Sequence, residues 1–466
     1  MKKRIIWLVN PCPLEGPFRF LGQPVSAPPN LGVVGSMIAS VIDRENLKGT
    51  IEIRFIDEVR GGIVKAGKDD LVLITTLIGT QDRATELSEN CVRSGAQVLL
   101  GGADATLRSD LYLGENDNIH VFLGQAANSD IFRKLVKEYL GTGRLEKRVY
   151  RSESVGNHSI INLEGLPVDY SVWQQIDQGT ILPFVLASDG CIYSCKFCAV
   201  NALSGKSIRI RPVAEVIDEI KERRLDGFSL ADSNVALNPE FDHLVEELSK
   251  LKLRKGWTAE LSMNFLRNEK IFQKLGKSGC QRILVGVESP DIVNLKNAGK
   301  RQNLDKDRTI TEQTRQIVAY AHKYNIKVTL LLIVGFPEDT LKKILSLAEF
   351  INYTKADGAS ISILTPFPGT EIWDDFQKQG LFNPEEFPSS RFDMRHLVWK
   401  HPLGKIELLR AYFDLCKKVW HPFRIIKRSL KSFALSNPLD WKQKFASSFG
   451  FEILSRKMQL HPWGDR

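Results

Sequence analysis

The chain has 466 residues, which is long for one domain and fits two or three. Hydrophobic residues make up 43% of it and charged residues 26%, as in ordinary globular proteins, and no apolar run approaches the roughly 20 residues of a membrane-spanning helix. The net charge of +9 arises late in the chain, because residues 391–466 carry 16 Lys and Arg against 6 Asp and Glu. The apolar stretch after Met1-Lys2-Lys3-Arg4 is too short for a signal peptide, which predicts a cytoplasmic protein.

From residue 4 to about residue 140, short apolar runs alternate with helical patterns. This alternation predicts an α/β fold that begins with a Rossmann-like parallel-sheet domain over residues 1–140. Ligands of such sheets bind outside the carboxyl ends of the strands. The predicted strands and helices are, in chain order, Ile5–Val9, Leu31–Ile42, Ile51–Ile56, Leu71–Thr75, Asp82–Ser94, Val98–Leu100, His120–Leu123 and Asp130–Tyr139.

The turns at the carboxyl ends of these strands contain glycines and one long loop. Gly101, Gly102 and Gly124 allow the backbone to approach a ligand closely, because no Cβ intervenes. The loop Asn10–Gly32 is rich in Pro and Gly, and a long structured loop inside a compact domain is more often functional than not. A generic Rossmann-like domain carries similar turns, so they identify no ligand by themselves.

Residues 141–180 show no steady periodicity, which predicts a linker along the surface. The apolar run after it predicts a buried strand, directly followed by Cys191, Cys195 and Cys198 at the spacing C-x3-C-x2-C. Three thiolates on a short loop can hold one corner of an iron–sulfur cubane and leave one iron open for chemistry. Zinc sites usually show two C-x2-C pairs or a Cys/His mixture, and ferredoxin clusters need four cysteines at other spacings.

This cysteine loop resembles the signature of the radical S-adenosylmethionine (SAM) family. The resemblance implies that the three cysteines bind a [4Fe-4S] cluster whose open iron chelates the amino and carboxylate groups of SAM. It implies that Phe197 lies beside the adenine and that an external low-potential donor supplies electrons. A second cluster is not expected, because the remaining cysteines are scattered: Cys12, Cys91, Cys280 and Cys416.

From residue 181 to about residue 375, strands and amphipathic helices alternate again. This pattern predicts a partial (β/α)6 TIM-type barrel with its active site at the carboxyl ends of the strands. The predicted strands are Phe184–Ser188, Phe228–Ala231, Trp257–Leu261, Arg282–Val285, Lys327–Ile333 and Ser360–Leu364.

Residues that suit SAM follow the second, fourth and fifth of these strands: Asp232, Asn234, Glu288, Ser289, Ile333, Gly335 and Pro337. Carboxylates and hydroxyls suit its ammonium and ribose, and apolar backbone suits adenine. Helix caps and tight turns use the same residue types. In the radical SAM resemblance, Gly-x-Glu-Ser and Gly-x-Pro segments bind SAM. Many members carry Gly-Gly-Glu after the second strand, where this chain has Ala231-Asp232-Ser233-Asn234, so the residue that contacts the amino group stays open.

The order of these features resembles the cobalamin-binding subfamily over residues 4–375. The features are a Pro-Pro-x-Leu-Gly loop opening a helix, a Gly-Gly turn, a Leu-Gly-Gln strand end and a Gly-Leu-Pro before the radical SAM core. The Asp-x-His-x-x-Gly motif of many cobalamin proteins is absent. Its absence agrees with members whose cobalt has no histidine ligand, and leaves open a domain that holds no corrin. The resemblance implies that a corrin lies on the sheet edge and is lined by Thr75, Thr76, Gly101, Gly102 and Gly124.

Residues 376–466 form a basic segment in which the β/α rhythm stops, and helical patterns cover Ile406–Arg428 and Leu439–Lys457. Such a segment can cap the barrel, contact an anionic membrane surface peripherally or touch a nucleic acid. No RNA-binding module is recognisable, and we expect no nucleic-acid partner. By resemblance, the segment completes the substrate cavity. Aromatic residues lie among its lysines and arginines: Trp420, Trp441, Phe445 and Phe449.

The sequence therefore predicts a cobalamin-dependent radical SAM enzyme that methylates an unactivated carbon. Its substrate is expected to be a lipid, a peptide or a natural-product intermediate. Two alternatives remain: a cyclase or rearrangement enzyme that uses the same cofactors, and a non-catalytic iron–sulfur protein. The substrate, the methylated atom and the oligomeric state do not follow from the residues.

Overall fold

The computed structural model describes residues 3–13, 29–153, 159–178, 180, 182–423 and 426. Within these residues, two parallel sheets of six strands and one small sheet of three form the framework. The strands are β1 (Arg4–Asn10), β2 (Ile51–Asp57), β3 (Leu71–Thr76), β4 (Gln97–Gly102), β5 (Ile119–Leu123), β6 (Val149–Arg151), β7 (Ile160–Asn162), β8 (Phe184–Val185), β9 (Ser188–Gly190), β10 (Ile208–Ile210), β11 (Gly227–Leu230), β12 (Gly256–Leu261), β13 (Cys280–Glu288), β14 (Lys327–Val334) and β15 (Gly358–Ile363). The α-helices are Pro29–Arg44, Gln81–Arg93, Ala103–Leu107, Asp130–Thr142, Tyr170–Asp177, Val200–Ser204, Val213–Glu222, Phe241–Lys250, Glu269–Lys277, Ile292–Asn297, Ile310–Lys323, Leu341–Thr354, Glu371–Lys378 and Lys405–Val419.

The first sheet has the strand order β2-β1-β3-β4-β5-β6, with every pair parallel. Most residues of its central strands are buried, because helices cover both faces. Helices Pro29–Arg44 and Asp130–Thr142 pack on one face, and helix Gln81–Arg93 packs on the other. The predicted Rossmann-like domain is confirmed. From β1 the chain adds β2 on one side and β3 to β6 on the other. The order of strands therefore reverses between β1 and β3, and such sheets bind ligands at the carboxyl ends of the strands at this point.

The predicted linker over residues 141–180 contains more structure than its irregular sequence indicates. Strand β6 extends the first sheet beside β5, and β7 joins β10 and β9 in the small sheet. Helix Tyr170–Asp177 packs on helix Pro29–Arg44. At that contact a Cβ on Gly32 would stand 2.4 Å from the Trp173 ring. The glycine of the Pro-Pro-x-Leu-Gly stretch therefore serves helix packing, because only a residue without a Cβ allows the two helices to approach so closely.

The second sheet has the order β15-β14-β13-β12-β11-β8 and is parallel throughout, which confirms the predicted partial barrel. The predicted strand Phe184–Ser188 is wrong in one respect, because the chain leaves the barrel after Val185 and β9 pairs with β10 instead. The reason is local. The amides of Ala187 and Ser188 donate to the Asp232 carboxylate and are therefore not available to a neighbouring strand.

The described part of the C-terminal segment contacts both the barrel and the N-terminal domain. Helix Lys405–Val419 packs on Leu341–Thr354 of the barrel, and the Ser389 hydroxyl donates to Asp82 Oδ2 at 2.7 Å in the N-terminal domain. The predicted helix Leu439–Lys457, with Trp441, Phe445 and Phe449, lies outside the described residues. A helix both long and apolar enough to cross a bilayer does not occur in the described ranges.

Candidate active site between the two sheets

The cysteine loop follows β9 at the rim of the barrel and is held by the segment after helix Ile292–Asn297. The Lys196 amide donates to the Ala298 carbonyl at 3.0 Å. Gly299 lies so close that a Cβ on it would stand 2.5 Å from the Ser194 carbonyl oxygen, and its φ is +71°. Only glycine fits this position without strain. Phe197 is partly buried and packs against the barrel core.

The three cysteines of this loop are free thiols, and each is half-buried. Burial raises the pKa of all three, that of Cys198 to about 11, and the Lys300 ammonium opposes this rise at each of them. A metal that binds sulfur would convert such thiols to thiolates. In the described part of the chain, no three His, Cys, Asp or Glu side chains are grouped to hold a single metal ion. In a cubane each cysteine binds a different iron, so the thiolates do not need to converge on one point.

Asp232 and Asn234 lie at the barrel rim but already bind other parts of the protein. Asp232 is buried and accepts hydrogen bonds from the Ala187 amide, at 3.2 Å, and from the Ser188 amide and hydroxyl. Burial raises the pKa of Asp232 to about 7. Asn234 Nδ2 donates to Ser262 Oγ at 2.6 Å. Both side chains therefore satisfy buried polar groups of neighbouring strand ends.

Glu288 is the last residue of β13, where the register with β14 is shifted by a bulge, and Ser289 follows it. Glu288 has a left-handed backbone, with a φ of +63°, and its Oε1 accepts a hydrogen bond from Lys300 Nζ at 2.8 Å. Ser289 Oγ accepts from Asn294 Nδ2 at 3.2 Å. Strained backbone of this kind is found most often at functional sites.

The turn after β14 is held by hydrogen bonds to the residues that directly follow it and to the C-terminal segment. The Gly335 amide donates to Asp339 Oδ2 at 2.8 Å, and His401 Nε2 lies 2.8 Å from the Phe336 carbonyl oxygen. Ile333 is half-buried, and Pro337 is exposed at the rim. The turn therefore presents fixed backbone and apolar side chains toward the barrel mouth, as adenine recognition requires.

Glu260 is a candidate residue that the sequence reasoning missed. It alternates in β12 with Ala259 and Leu261, which pack under the outer helices, so its side chain faces the barrel interior. There it is exposed, and its carboxyl group has no hydrogen-bond or ion-pair partner within the described residues. Although the side chain is accessible, the barrel atoms around its carboxyl group partly desolvate it and raise the pKa of Glu260 to about 7, and Glu288 adds to the effect. An ionisable group with a shifted pKa inside a barrel is a candidate for ligand binding.

A cavity of about 350 Å³ lies between the carboxyl edge of the first sheet and the barrel rim. On the barrel side it is lined by Leu186, Asp189 and Ala231. On the other side it extends between the sheet and the helices Pro29–Arg44 and Asp130–Thr142, along mostly apolar residues. All five residues predicted to line a ligand border this one cavity: Thr75, Thr76, Gly101, Gly102 and Gly124.

The three glycines differ in what they leave open. A Cβ on Gly101 would meet nothing closer than the Phe122 carbonyl oxygen at 3.9 Å, so Gly101 borders free space. Gly102 has a φ of +100°, and a Cβ there would stand 2.7 Å from the Thr76 carbonyl oxygen. Gly124 is similar, because its Cβ would collide with a serine side chain. The fold itself requires Gly102 and Gly124, whereas Gly101 is free to serve a ligand.

The two threonines also differ. Thr76 is fully buried, and its hydroxyl donates to the Gly101 carbonyl at 2.9 Å and accepts from the Ala105 amide at 2.8 Å. Thr75 is half-buried, and its hydroxyl accepts from Asn30 Nδ2 at 2.9 Å. Thr76 therefore shapes the sheet edge, and Thr75 is the one whose side chain a ligand can reach.

A hydrogen bond joins the two domains at the cavity wall. Gln125 Nε2, in the turn after β5, donates to Asp189 Oδ2 at 2.9 Å. Asp189 lies in β9, two residues before Cys191, and its carboxylate is 3.7 Å from an Arg209 nitrogen. No local sequence pattern predicts this contact, because it joins residues 64 positions apart.

Residues 185–351 match the family model of the radical SAM superfamily, which confirms the predicted radical SAM domain. The chain is 27% identical over 441 residues to the bacteriochlorophyllide d C-12(1)-methyltransferase of Chlorobaculum tepidum, across 90% of this chain and 86% of that protein. It is 26% identical over 392 residues to the bacteriochlorophyllide d C-8(2)-methyltransferase of the same organism, across 77% of this chain and 82% of that protein.

Among solved structures, the radical SAM methyltransferase TsrM of Kitasatospora setae, with cobalamin and a [4Fe-4S] cluster bound, resembles this chain. The TM-score is 0.63 at 15% sequence identity, and the alignment covers 94% of this chain and 90% of TsrM. At this identity the likeness shows the fold: an N-terminal parallel sheet, a partial barrel and a C-terminal segment arranged alike.

Proposed function

We propose that this chain, a radical SAM protein with the fold of a cobalamin-binding methyltransferase, transfers a methyl group to a carbon atom of an organic substrate. The observation that carries the proposal is the cavity, which joins the carboxyl edge of the first sheet to the strand that leads into Cys191. A group bound at the sheet edge and a group bound by the cysteine loop would face the same space. Both relatives named above are methyltransferases, which supports the same class of reaction.

The cysteine loop and the barrel rim fit a [4Fe-4S] cluster with SAM on its open iron. When bound, the two would supply a 5′-deoxyadenosyl radical that removes a hydrogen atom from the substrate carbon. The residues of this chain contribute placement: the three cysteines fix the cluster, and the Glu288 and Gly335 turns border the SAM position. Glu260 lies deeper in the barrel, where a hydrogen-bond donor of a ligand can reach it. Errors of about 1 Å in such placement cost roughly a hundredfold in rate.

The sheet edge fits cobalamin, which would supply the methyl group. Gly101 leaves room for a flat ring system against the backbone. The apolar extension of the cavity between sheet and helices suits the nucleotide arm of a cobalamin whose own base is displaced. None of the described residues that line the cavity is a histidine, so none of them would offer an imidazole to a bound cobalamin.

The proposed reaction needs a substrate and an electron donor. The substrate is an organic molecule of the lipid, peptide or natural-product type, and an external low-potential donor delivers the electron. Peripheral contact with an anionic membrane surface through the basic segment 376–466 stays a prediction. A cyclase or rearrangement enzyme would use the same cofactors, but the methyltransferase relatives favour methyl transfer.

The experiment that tests the proposal is anaerobic reconstitution of the full chain, followed by iron and cobalamin analysis and incubation with SAM and a low-potential reductant. We expect about four irons and one base-off cobalamin per chain. Mass spectrometry should detect 5′-deoxyadenosine, and S-adenosylhomocysteine in addition once cobalamin is methylated.

The outcomes separate the alternatives. Iron without cobalamin would retain the radical chemistry but remove the methyl carrier. If both cofactors are bound and 5′-deoxyadenosine forms without S-adenosylhomocysteine, the result would favour a cyclase or rearrangement enzyme. A full cluster without any SAM cleavage would leave a non-catalytic iron–sulfur protein and sink the proposal.

A further inference from the structure

We propose that residues 298–303, named here the backing segment, raise the reduction potential of the cluster on the cysteine loop. Two side chains act in this way: Lys300 through its positive charge and Gln302 through a hydrogen bond to the Cys195 sulfur. The inference rests on the proposed function only in requiring that the three cysteines carry a cluster.

The backing segment is anchored on both sides, so its side chains are held in place. Toward the cysteine loop, the Lys196 amide donates to the Ala298 carbonyl at 3.0 Å. Toward the barrel, Asn303 is fully buried and its Nδ2 donates to the carbonyls of Gly286, at 2.8 Å, and Val287, at 3.2 Å. The segment therefore connects the cysteine loop to the end of β13.

Gln302 reaches a cluster ligand directly. Its Nε2 donates to the Cys195 sulfur at 3.4 Å. A hydrogen bond to a ligating sulfur withdraws electron density from the cluster and favours the reduced state. Gln302 is thus a positioning residue that acts on the cluster through Cys195.

Lys300 supplies the positive charge beside the loop. Its side chain is only 12% exposed and its ammonium lies 2.8 Å from Glu288 Oε1. The ion pair lies over Gly286, where a Cβ would stand 2.8 Å from Glu288 Oε1 and 3.1 Å from Lys300 Nζ. The missing side chain at Gly286 therefore makes room for the pair. Lys300 directly follows Gly299, which lies against the Ser194 carbonyl oxygen, and precedes Gln302, which reaches the Cys195 sulfur, so its charge lies beside the cysteine loop.

The sign of the effect follows from the charges. Reduction adds an electron to a cluster that three thiolates already make electron-rich, so a nearby cation stabilises the reduced state and raises the potential. The negative charge of Glu288 lowers the potential and so offsets part of the effect of Lys300, because its carboxylate lies only 2.8 Å from the ammonium. Because the pair is largely removed from water, solvent screens it little.

The test is a redox titration, followed by electron paramagnetic resonance, of the reconstituted full chain without SAM, cobalamin or substrate. We expect Lys300→Met to shift the midpoint potential to a more negative value at unchanged iron content. Gln302→Leu should shift it in the same direction by a smaller amount. Lys300→Met combined with Glu288→Gln should recover most of the shift, because the local net charge is then restored.

The matched control is Arg301→Met, which removes the same charge from an exposed side chain of the same segment. Its potential should match the wild type, because water screens an exposed charge. Lys300→Arg keeps the charge and should also stay close to the wild type.

Each outcome decides. A Lys300→Met protein with full iron and an unchanged potential overturns the role of the charge, and an unchanged potential in Gln302→Leu overturns the role of the hydrogen bond. If Lys300→Met holds no iron while Lys300→Arg does, the charge is needed for cluster assembly rather than for tuning its potential, and the inference is wrong for Lys300. If neither variant holds iron, Lys300 serves packing and the inference is wrong as well. A wild-type chain without a cluster would instead refute the proposed function.

Discussion

The two carboxyl edges that meet at the cavity are built on opposite principles. The barrel edge is crowded with polar side chains that bind each other, such as Asp232 with Ser188 and Glu288 with Lys300. The edge of the first sheet presents backbone, glycine and apolar surface, and its polar Thr76 is turned inward. The barrel edge is therefore suited to binding by coordination and charge, and the sheet edge to binding by shape.

This difference explains which parts of the site a sequence reveals. Coordination and charge need particular residue types at fixed spacings, and these can be recognised as a motif. A shape-based site needs only small or apolar residues, which occur in any sheet. Substitutions at the two edges should accordingly separate iron binding from cobalamin binding.

The largest effect is expected at the cysteine loop. Cys195→Ala should abolish the cluster, lowering iron from about four per chain to nearly zero, because a cluster corner needs all its thiolates. Cobalamin content should stay at the wild-type level, since the sheet edge lies in the other domain. Loss of both cofactors together would show that the edges are not independent. Measurable SAM cleavage by this variant would contradict the radical SAM mechanism.

The next effect concerns the two adjacent glycines of the sheet edge. Gly101→Val should leave iron content and stability unchanged but weaken cobalamin binding about tenfold or more, because its side chain would occupy the cavity. Gly102→Ala should instead destabilise the domain by about 2 kcal/mol, since its φ of +100° and the nearby Thr76 carbonyl oppose a Cβ. Thermal unfolding and equilibrium dialysis distinguish the two.

A matched control for these variants is Gly114→Val. A Cβ on Gly114 would meet nothing within 4 Å, and Gly114 does not line the cavity. This variant should bind cobalamin like the wild type. Unchanged cobalamin affinity in Gly101→Val would remove the sheet edge as the corrin site.

The sequence predicted the two domains and the cysteine loop because their signals are local. Glu260 could have been found as well, since it interrupts the buried positions Trp257, Ala259 and Leu261 of a predicted strand. Gln302 could not, because its contact with Cys195 spans 107 positions and depends on how the barrel closes. The contact of Asp232 with Ser188 could not be predicted either, because it spans 44 positions and its own turn does not reveal the partner.

A third prediction concerns the pH dependence of the barrel edge. Burial raises the pKa of Asp232 to about 7 from an ordinary value of about 3.9. Between about pH 4 and pH 7 the folded chain holds a proton that the unfolded chain releases, so stability falls as the pH rises through this window. The slope from this group is at most about 1.4 kcal/mol per pH unit. Asp232→Asn should flatten it in denaturant titrations.

The control for this slope is Asp218→Asn, which changes an exposed carboxylate whose side chain is 67% accessible. It should leave the pH dependence of the wild type intact. A wild-type slope that persists in Asp232→Asn would mean that another buried carboxyl group carries it.

The smallest effect is expected where the two edges touch. Gln125 and Asp189 form a hydrogen bond at the cavity wall. The free energy lost when this bond is broken depends on how well water can hydrogen-bond to each group in its place. Asp189 keeps its Arg209 neighbour and is 29% exposed, so water can replace the amide. A double-mutant cycle of Gln125→Ala and Asp189→Ala should therefore give a coupling energy of only about 1 kcal/mol. A coupling near zero would mean that the cofactors, rather than this contact, set the spacing of the two edges.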